Sequence, residues 1–277
     1  MWHQLQSIGG LRFMTRISEV FKDNKAFIPF ITAGDPDLET TEKLVHTMTK
    51  AGADLIELGI PFSDPVAEGP VIQEASYRSL SANTTIDKIF KMVEKVRISN
   101  KIPLAFMTYI NPIYNYGSER FMKACNRLEV DALIVADLPF EEKKELKAVS
   151  DQYQITLISM ITPTSKKRIP MIVKEAEGFI YCVSSMGVTG VRSEISCEIG
   201  NLIRDIKEVK DIPCAIGFGI STPTQAQKLA AQSDGIIVGS AVVEIIAQHG
   251  RNSIPYVEAY VRKIKDGMGQ RDGSLVP

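Results

Sequence analysis

The sequence predicts an α/β fold, a single-domain (β/α)8 barrel, from three observations. Short apolar runs with strand character alternate with amphipathic helical patterns along the chain. Eight such runs are present, which matches a closed barrel better than an open doubly wound sheet. No Pro/Gly/Ser-rich linker or change of composition divides the 277 residues, a length that one barrel commonly fills. We therefore expect parallel strands joined by right-handed βαβ crossovers.

Eight predicted strands follow one another along the chain. They are AFIPFIT (26–32), DLIELG (54–59), PLAFMTY (103–109), ALIVAD (132–137), TLISMI (156–161), FIYCVS (179–184), CAIGFG (214–219) and GIIVGS (235–240). The connections after the second and sixth strands are too long for a plain crossover. Because loops after barrel strands lie at the C-terminal face, where active sites are built, we expect both long loops to contribute to a site.

Apolar residues with helical spacing lie between the predicted strands. Four apolar faces have this spacing: Leu38, Leu44, Val45 and Met48; Ile86, Ile89, Phe90, Val93 and Val96; Phe121, Met122, Cys125 and Leu128; and Ile199, Leu202, Ile203, Ile206 and Val209. Another helix is predicted to begin at Pro223, with Ser221 or Thr222 as its capping hydroxyl.

The composition excludes several classes of protein. Hydrophobic residues make up 44% and charged residues 23%, which is typical of a soluble globular domain. The 32 Lys and Arg nearly balance the 33 Asp and Glu, so an anionic ligand must be bound by a local site rather than by an overall field. There is no apolar run of roughly 18 residues and no secretory signal pattern. We expect a cytoplasmic protein that binds neither nucleic acid nor membrane.

The cysteines and histidines predict neither a disulfide framework nor a metal site. No cysteine belongs to a Cys-x-x-Cys pair and each lies beside apolar residues, so reduced core thiols are expected at Cys125, Cys182, Cys197 and Cys214. The histidines are far apart in sequence, at His3, His46 and His249. The chemistry must therefore come mainly from carboxylates, hydroxyls and backbone amides.

Acidic residues stand at the end of the second predicted strand. Glu57 shares a strand face with Leu55 by alternation, and an apolar setting there would raise its pKa and suit it to general acid–base chemistry. The alternative is a glutamate paired with a nearby Lys or Arg. Asp64 and Glu68 follow in the loop, where acids more often cap turns or face solvent. Three prolines nevertheless stiffen this segment, which indicates that its shape matters.

Glycines are concentrated in three later loops. The segment SSMGVTGVRSE (184–194) has the composition of a mobile flap with free backbone amides. The loops after the seventh and eighth strands often bind a phosphate in barrels, through backbone N–H groups and a helix N-terminus. The donors we expect are Gly219, Gly239 and Ser240. Simple turn glycines are the alternative, and GFG lacks the third glycine of a dinucleotide fingerprint.

Five segments of the chain form a recognisable set: PFITAGDP (29–36), AGADLIELGIPFSDPVAEGPVIQ (51–73), YCVSSMGVTGVR (181–192), GFGIST (217–222) and VGSA (238–241). Together they resemble the tryptophan synthase α chain. They occur in the family's order, and LGIPFSDP is highly specific to it. The resemblance implies a TIM barrel that cleaves indole-3-glycerol phosphate to indole and glyceraldehyde 3-phosphate, a retro-aldol lyase reaction of L-tryptophan biosynthesis. It implies no cofactor in this chain and a β chain carrying pyridoxal phosphate in an α2β2 complex.

The resemblance also implies roles for individual residues. Glu57 matches the catalytic glutamate, and Glu68 stands where the family more usually has the aspartate that polarises the indole N–H. Thr189 matches the flap threonine that hydrogen-bonds the second acid. The indole pocket would be lined by Phe30, Tyr109, Ile134, Tyr181 and Phe218. The phosphate contacts would be Gly190, Gly219, Gly239 and Ser240. The β chain would dock near Pro61, Asp64 and Asn111.

The predicted boundaries place the barrel at 14–268. Residues 1–13 are expected to be an N-terminal extension or non-native residues, because Met14 resembles a family start, and 269–277 a flexible polar tail. Two other functions remain open at this point. One is a catalytically weak, ligand-binding regulatory subunit of a β chain, because Glu68 replaces aspartate. The other is a different phosphate-binding barrel, a phosphoribosyl isomerase or indole-glycerol-phosphate synthase, which would not explain LGIPFSDP.

Overall fold

The computed structural model describes residues 16–22, 24–183, 192–217 and 219–269. Its strands are β1 (Ala26–Thr32), β2 (Ile56–Gly59), β3 (Leu104–Thr108), β4 (Ala132–Val135), β5 (Thr156–Leu157), β6 (Ser159–Ile161), β7 (Ile180–Val183), β8 (Cys214–Gly217) and β9 (Gly235–Val238). They form one parallel sheet in the order β5-β4-β3-β2-β1-β9-β8-β7-β6. Only Ile158 separates β5 from β6. The two ends of the sheet are therefore parts of one interrupted strand, and the sheet closes into the predicted barrel.

Helices alternate with these strands and surround them. They are α1 (Arg16–Glu19), α2 (Leu38–Lys50), α3 (Pro70–Ser81), α4 (Ile86–Ser99), α5 (Ile110–Tyr116), α6 (Ser118–Arg127), α7 (Lys143–Gln152), α8 (Ile169–Glu175), α9 (Arg192–Val209), α10 (Pro223–Ala230), α11 (Ser240–His249) and α12 (Ile254–Gly269). Short 3₁₀ segments lie at Phe140–Glu142, Pro163–Arg168 and Gly250–Asn252. The long connection after β2 contains the loop 60–69, which follows the C-terminal end of the strand, and α3.

The fifth predicted strand differs from expectation because it changes partner in the middle. Its first half pairs with β4 as far as Leu133 and Leu157, and its second half pairs with β7 from Ser159 onward. Lys143, the first residue of α7, donates from Nζ to the Leu157 carbonyl at 3.2 Å and to Ser159 Oγ at 2.8 Å. A side chain from outside the strand thus contacts the break. No pattern in the sequence predicted this break.

Two layers of apolar side chains explain why the strands lie as they do. An interior cluster includes Ile28, Leu55 and Ala105, whereas Ile56 and Leu58 belong to the layer between the sheet and the helices. Alternation along β2 therefore turns Glu57 inward together with Leu55, as predicted. Burial of a charged carboxylate inside the barrel costs folding free energy unless the group is protonated or paired. An acid kept in such a position is therefore a candidate for catalysis.

The predicted helical faces are buried or partly buried, with one exception. In α4 the buried side chains include Ile89, Phe90, Val93 and Val96. Val209 was predicted to share the apolar face of α9, but it is 40% exposed because it is the last residue of the helix. Thr222, rather than Ser221, caps α10, and its side chain and that of Gln225 form a reciprocal capping box.

Three cysteines have the predicted state. Cys125, Cys182 and Cys214 are free thiols in the core. The side chain of Cys197 lies outside the described residues. Burial raises the pKa of the Cys125 thiol, which suits an inert core residue rather than a nucleophile. No helix in the described part of the chain combines the length and apolar character needed to cross a membrane.

Candidate active site

Glu57 lies on β2 with its side chain turned into the barrel. It is aligned with Phe30 of β1 on one side and Ala105 of β3 on the other. Its side chain is 0% exposed, and neither carboxyl oxygen has a hydrogen-bond partner among the described residues. Burial, and next the charge of Glu68, raise the pKa of Glu57 to about 8. The alternative of a glutamate paired with a cation is therefore wrong for the described part of the chain.

A cavity of about 410 Å³ opens beside Glu57 at the ends of the strands. It is lined by the second acid, Glu68, and by the loops that follow β8 and β9. Both acids predicted to be catalytic therefore face the same space as the glycines predicted to bind phosphate. Residues separated by almost two hundred positions in the sequence meet there because all parallel strands end at one edge.

Glu68 is positioned by contacts between its loop and Tyr109. The Tyr109 hydroxyl accepts a hydrogen bond from the Ala67 N–H at 3.1 Å, and its ring contacts Phe62 with centroids 5.2 Å apart. The same hydroxyl donates to the Glu68 carboxylate, which opposes the rise that burial causes in the Glu68 pKa. Burial raises the pKa of Tyr109 to about 12, so its hydroxyl keeps the proton that it donates. Glu68 is half-buried rather than solvated, and Gly69 follows it as the residue preceding α3.

Two aromatic rings lie against glycines at the mouth of the barrel. A β-carbon at Gly59 would lie 2.6 Å from Phe30 Cζ, and one at Gly217 would lie 2.5 Å from Tyr181 Cε1. A larger residue at either glycine would displace the ring. The missing side chain at each glycine therefore leaves the space that the ring occupies. Burial and the two acids raise the pKa of Tyr181 well above its usual range, and its hydroxyl remains protonated.

The opposite end of the cavity is built from backbone amides. Gly219 has φ +31°, and Gly239 precedes the first residue of α11, Ser240. Gly239 is the N-cap residue and has no side chain that could cap this helix, which is ten residues long. The first amides of a helix have no intrahelical partner, and the helix dipole favours an anion there. Gly219, Gly239 and Ser240, the predicted phosphate contacts that the structure describes, all line the cavity.

Comparison with known proteins identifies the family. Residues 18–269 match the family model described as tryptophan synthase alpha chain. This chain belongs to the tryptophan synthase alpha chain family. Among its relatives, the tryptophan synthase alpha chain of Lacticaseibacillus casei is 46% identical over 252 residues, covering 91% of this chain and 95% of the relative. That of Lactiplantibacillus plantarum is 44% identical over 264 residues, covering 95% of this chain and 100% of the relative.

Solved structures of the family share the fold. The crystal structure of the tryptophan synthase alpha chain from Legionella pneumophila subsp. pneumophila superimposes with a TM-score of 0.86 at 33% identity, covering 95% of this chain and 100% of that one. A chain from the tryptophan synthase a2b2 complex of Pyrococcus furiosus gives a TM-score of 0.82 at 34% identity, covering 88% and 98%. The predicted TIM barrel is thus confirmed by both the strand order and these structures.

Some of the residues expected from the family resemblance do not line the cavity or cannot be placed. Ile134 packs in the interior cluster. Tyr109 contacts the loop that carries Glu68, through the Ala67 N–H. Neither residue is among the described residues that line the cavity. Thr189, Gly190 and Phe218 lie outside the described residues. No group of three His, Cys, Asp or Glu with metal-binding geometry occurs in the part of the chain that the structure describes.

Several lining residues were missed by sequence reasoning. Met107, Gly217, Ser221 and Glu244 face the cavity. Gly217 and Ser221 belong to the GFGIST motif, so the motif could have predicted that they lie at the site. The inward position of Met107 follows from alternation along β3, which a count of strand positions could have found. Glu244 carried no signal, because it is one of many charged residues on a helix.

Proposed function

We propose that this chain is the α subunit of a tryptophan synthase and cleaves indole-3-glycerol phosphate to indole and glyceraldehyde 3-phosphate. Family membership supports this activity. The observation that carries it at the residue level is the shared cavity, where a protonated buried carboxyl and a second acid lie opposite a helix N-terminus. These groups match the three requirements of the substrate: a carbon to protonate, an indole N–H to bind and a phosphate to hold.

Glu57 supplies the proton transfers in this proposal. Because its pKa is about 8, it is mainly protonated at neutral pH and can donate to indole C3. The electrons of the bond between C3 and the glycerol side chain then move into the ring, and that bond breaks. The Glu57 carboxylate takes the proton of the adjacent hydroxyl, whose oxygen becomes the aldehyde oxygen of glyceraldehyde 3-phosphate. One carboxyl thus serves as acid and then base.

Glu68 accepts the hydrogen bond of the indole N–H. A carboxylate that accepts this hydrogen bond raises the electron density on the ring nitrogen and, by conjugation, on C3. C3 is then more basic and takes up the proton from Glu57 more readily. The hydrogen bond from Tyr109 fixes the direction of the longer glutamate side chain. This contact supports Glu68 as the functional equivalent of the aspartate that the family more usually has.

The remaining site residues bind the two ends of the substrate. We assign the phosphate to Gly219, Gly239 and Ser240, with Gly190 of the flap. Thr189 of the flap would contact Glu68. The indole ring would pack against aromatic and apolar side chains, namely Phe30, Tyr181 and Phe218, with Ile134 and Tyr109 supporting the pocket from behind.

The proposed assembly is an α2β2 complex with a tryptophan synthase β chain. The support is the a2b2 complex of the Pyrococcus furiosus relative. We propose that pyridoxal phosphate is bound by the partner and that the α chain supplies indole to it in the cytoplasm. Asp64 and Asn111 are exposed on the face that carries the predicted docking site, whereas Pro61 is buried and would shape the loop. The unit that docks is the barrel of residues 14–268.

One assay on the isolated chain tests the proposed activity. Purified protein should release indole from indole-3-glycerol phosphate without added metal or cofactor. A regulatory subunit with little chemistry would bind the substrate and release almost nothing. The shared cavity of Glu57 and Glu68 supports the lyase rather than that second function, because both acids line one space. Size-exclusion chromatography with a β chain tests the assembly, and persistent separate peaks would contradict it.

A further inference from the structure

A second cavity adjoins the active site. Its volume is about 720 Å³, and it opens between the end of β4 and the strands β6 and β7. Ala67, Met107 and Tyr181 line both this cavity and the one that contains Glu57. These three residues therefore mark a boundary across which one ligand can extend. A volume of this size by itself suffices for an organic ligand larger than a bicyclic ring.

The break in the fifth strand accounts for the second cavity. The pairing of β4 with the fifth strand ends at Leu133 and Leu157, and beyond Ile158 the described pairing of β6 is with β7. Lys143 contacts this break from α7, with its Nζ bonded to Leu157 O and Ser159 Oγ. An ammonium has three N–H donors, and these two atoms are its hydrogen-bond partners among the described residues. One N–H is left for a ligand in the cavity.

Three charged side chains line the second cavity: Lys143, Arg168 and Asp137. Arg168 is already paired with Glu141, and Asp137 Oδ1 accepts the Ile110 N–H at 2.8 Å. Lys143 is therefore the cation on this wall that has no carboxylate partner among the described residues, and one of its N–H donors is free. Burial, and next the charge of Lys147, lower its pKa to about 8, which leaves it mainly cationic at pH 7.

The chemistry of the proposed function fixes which edge of the indole faces this cavity. C3 must lie at Glu57 and N1 at Glu68, and both atoms belong to the five-membered ring. The far edge of the benzene ring, at C5 and C6, then points away from both acids. Because Met107 and Tyr181 line both cavities, a ring whose N1 and C3 lie at the two acids extends its far edge past these side chains into the second cavity.

We propose that the chain also accepts indoles that carry a carboxylate at C5 or C6, with Lys143 as the residue that determines this specificity. The inference rests on the proposed function. In the reverse of the α reaction, C3 of the carboxyindole forms a bond to the aldehyde carbon of glyceraldehyde 3-phosphate. C3 loses its proton, the carbonyl oxygen gains one, and the product is a carboxyindole-glycerol phosphate. No oxidant or further reactant is needed.

The test compares indole, indole-5-carboxylate and indole-6-carboxylate with glyceraldehyde 3-phosphate on the full chain at pH 7. Initial rates and product masses are measured for the wild type, Lys143→Met, Lys143→Arg and Lys147→Met. Lys147 is the matched control: it lies on the same helix, pairs with Asp151 and Glu177, and is not among the described lining residues. Unsubstituted indole reports on folding and on the α site in every variant.

The wild type should condense at least one carboxyindole. Lys143→Met should lower kcat/KM for it at least about tenfold, the effect of losing a hydrogen bond to a charged group. Lys143→Arg should retain most of the rate, and unsubstituted indole should react within about twofold of wild type in all variants. Equal losses for indole and carboxyindole in Lys143→Met would overturn the role of Lys143. Reaction of indole with none of either carboxyindole would overturn the inference and leave the proposed function standing, whereas no reaction of indole itself would overturn both.

Discussion

The Tyr109 hydroxyl donates a hydrogen bond to the Glu68 carboxylate while it accepts one from the Ala67 N–H at 3.1 Å. The two bonds tie an aromatic residue at the end of β3 to the loop that follows β2. A glutamate has one more rotatable bond than the aspartate usual in the family, so it has more directions in which to point. The tyrosine restricts that freedom and directs the carboxylate to the cavity.

Replacing Tyr109 with phenylalanine removes both bonds and keeps the ring. We expect Tyr109→Phe to lower kcat for indole release about tenfold, because Glu68 is then less well oriented toward the indole N–H. The melting temperature should change little, since the contact with Phe62 remains. Steady-state kinetics measure the effect. Tyr77→Phe, at a side chain 74% exposed on α3, is the control and should match the wild type; an unchanged kcat in Tyr109→Phe would refute the positioning role.

Replacing Glu57 with glutamine removes the transferable proton. We expect Glu57→Gln to lower the rate of indole release by at least about a thousandfold, because both proton transfers depend on this carboxyl. The fold should survive, since an amide is nearly the same size. Release of indole is followed in the isolated chain. Glu74→Gln, an exposed residue of α3, should behave as wild type; substantial turnover in Glu57→Gln would show that another group is the acid.

The raised pKa of Glu57 also couples stability to pH. Because folding raises this pKa from 4.5 to about 8, the folded state binds a proton more tightly than the unfolded chain. The contribution is fully present below about pH 4.5 and is lost as pH rises through about 8. Between these values the unfolding free energy of the wild type should fall relative to Glu57→Gln by up to about 1.4 kcal/mol per pH unit. Urea unfolding at several pH values measures this difference, and parallel curves would contradict the burial of an ionisable group.

Shortening Glu68 tests whether its length is matched to its surroundings. We expect Glu68→Asp to lower kcat up to about tenfold, because the retracted carboxylate loses the Tyr109 bond. The double variant with Tyr109→Phe should lose less than the product of the two single effects, since both remove the same contact. A large gain of turnover in Glu68→Asp would instead support a chain that has become a weak, regulatory subunit.

Gly217 is expected to tolerate no side chain. A β-carbon there would lie 2.5 Å from the Tyr181 ring, which is buried against the two acids and has little room to shift. Gly217→Ala should destabilise the fold by about 1–3 kcal/mol and raise KM for indole-3-glycerol phosphate. Thermal unfolding and kinetics report the two effects. Gly269→Ala, where nothing lies within 4 Å, is the control; wild-type behaviour of Gly217→Ala would show that the ring moves freely.

Local patterns determined much of this protein. Alternation in LIELG turned Glu57 inward, because successive strand residues point to opposite faces. Thr222 and Pro223 marked the start of α10, because capping needs a hydroxyl and a residue without an N–H. The motif order carried the family, which the comparisons confirmed. These features depend on residues that are close in the sequence, and they can therefore be predicted from the sequence alone.

Tertiary structure alone decided the rest. The bonds of Tyr109 to Ala67 and Glu68, the glycine beneath the Tyr181 ring and the contact of Lys143 with a broken strand all join residues from different elements. The pKa of Glu57 depends on how much water the whole barrel excludes and on where Glu68 lies. Such contacts are set by the packing of elements that are distant in sequence. The spacing and the propensity of neighbouring residues contain no information about how close such elements lie in space.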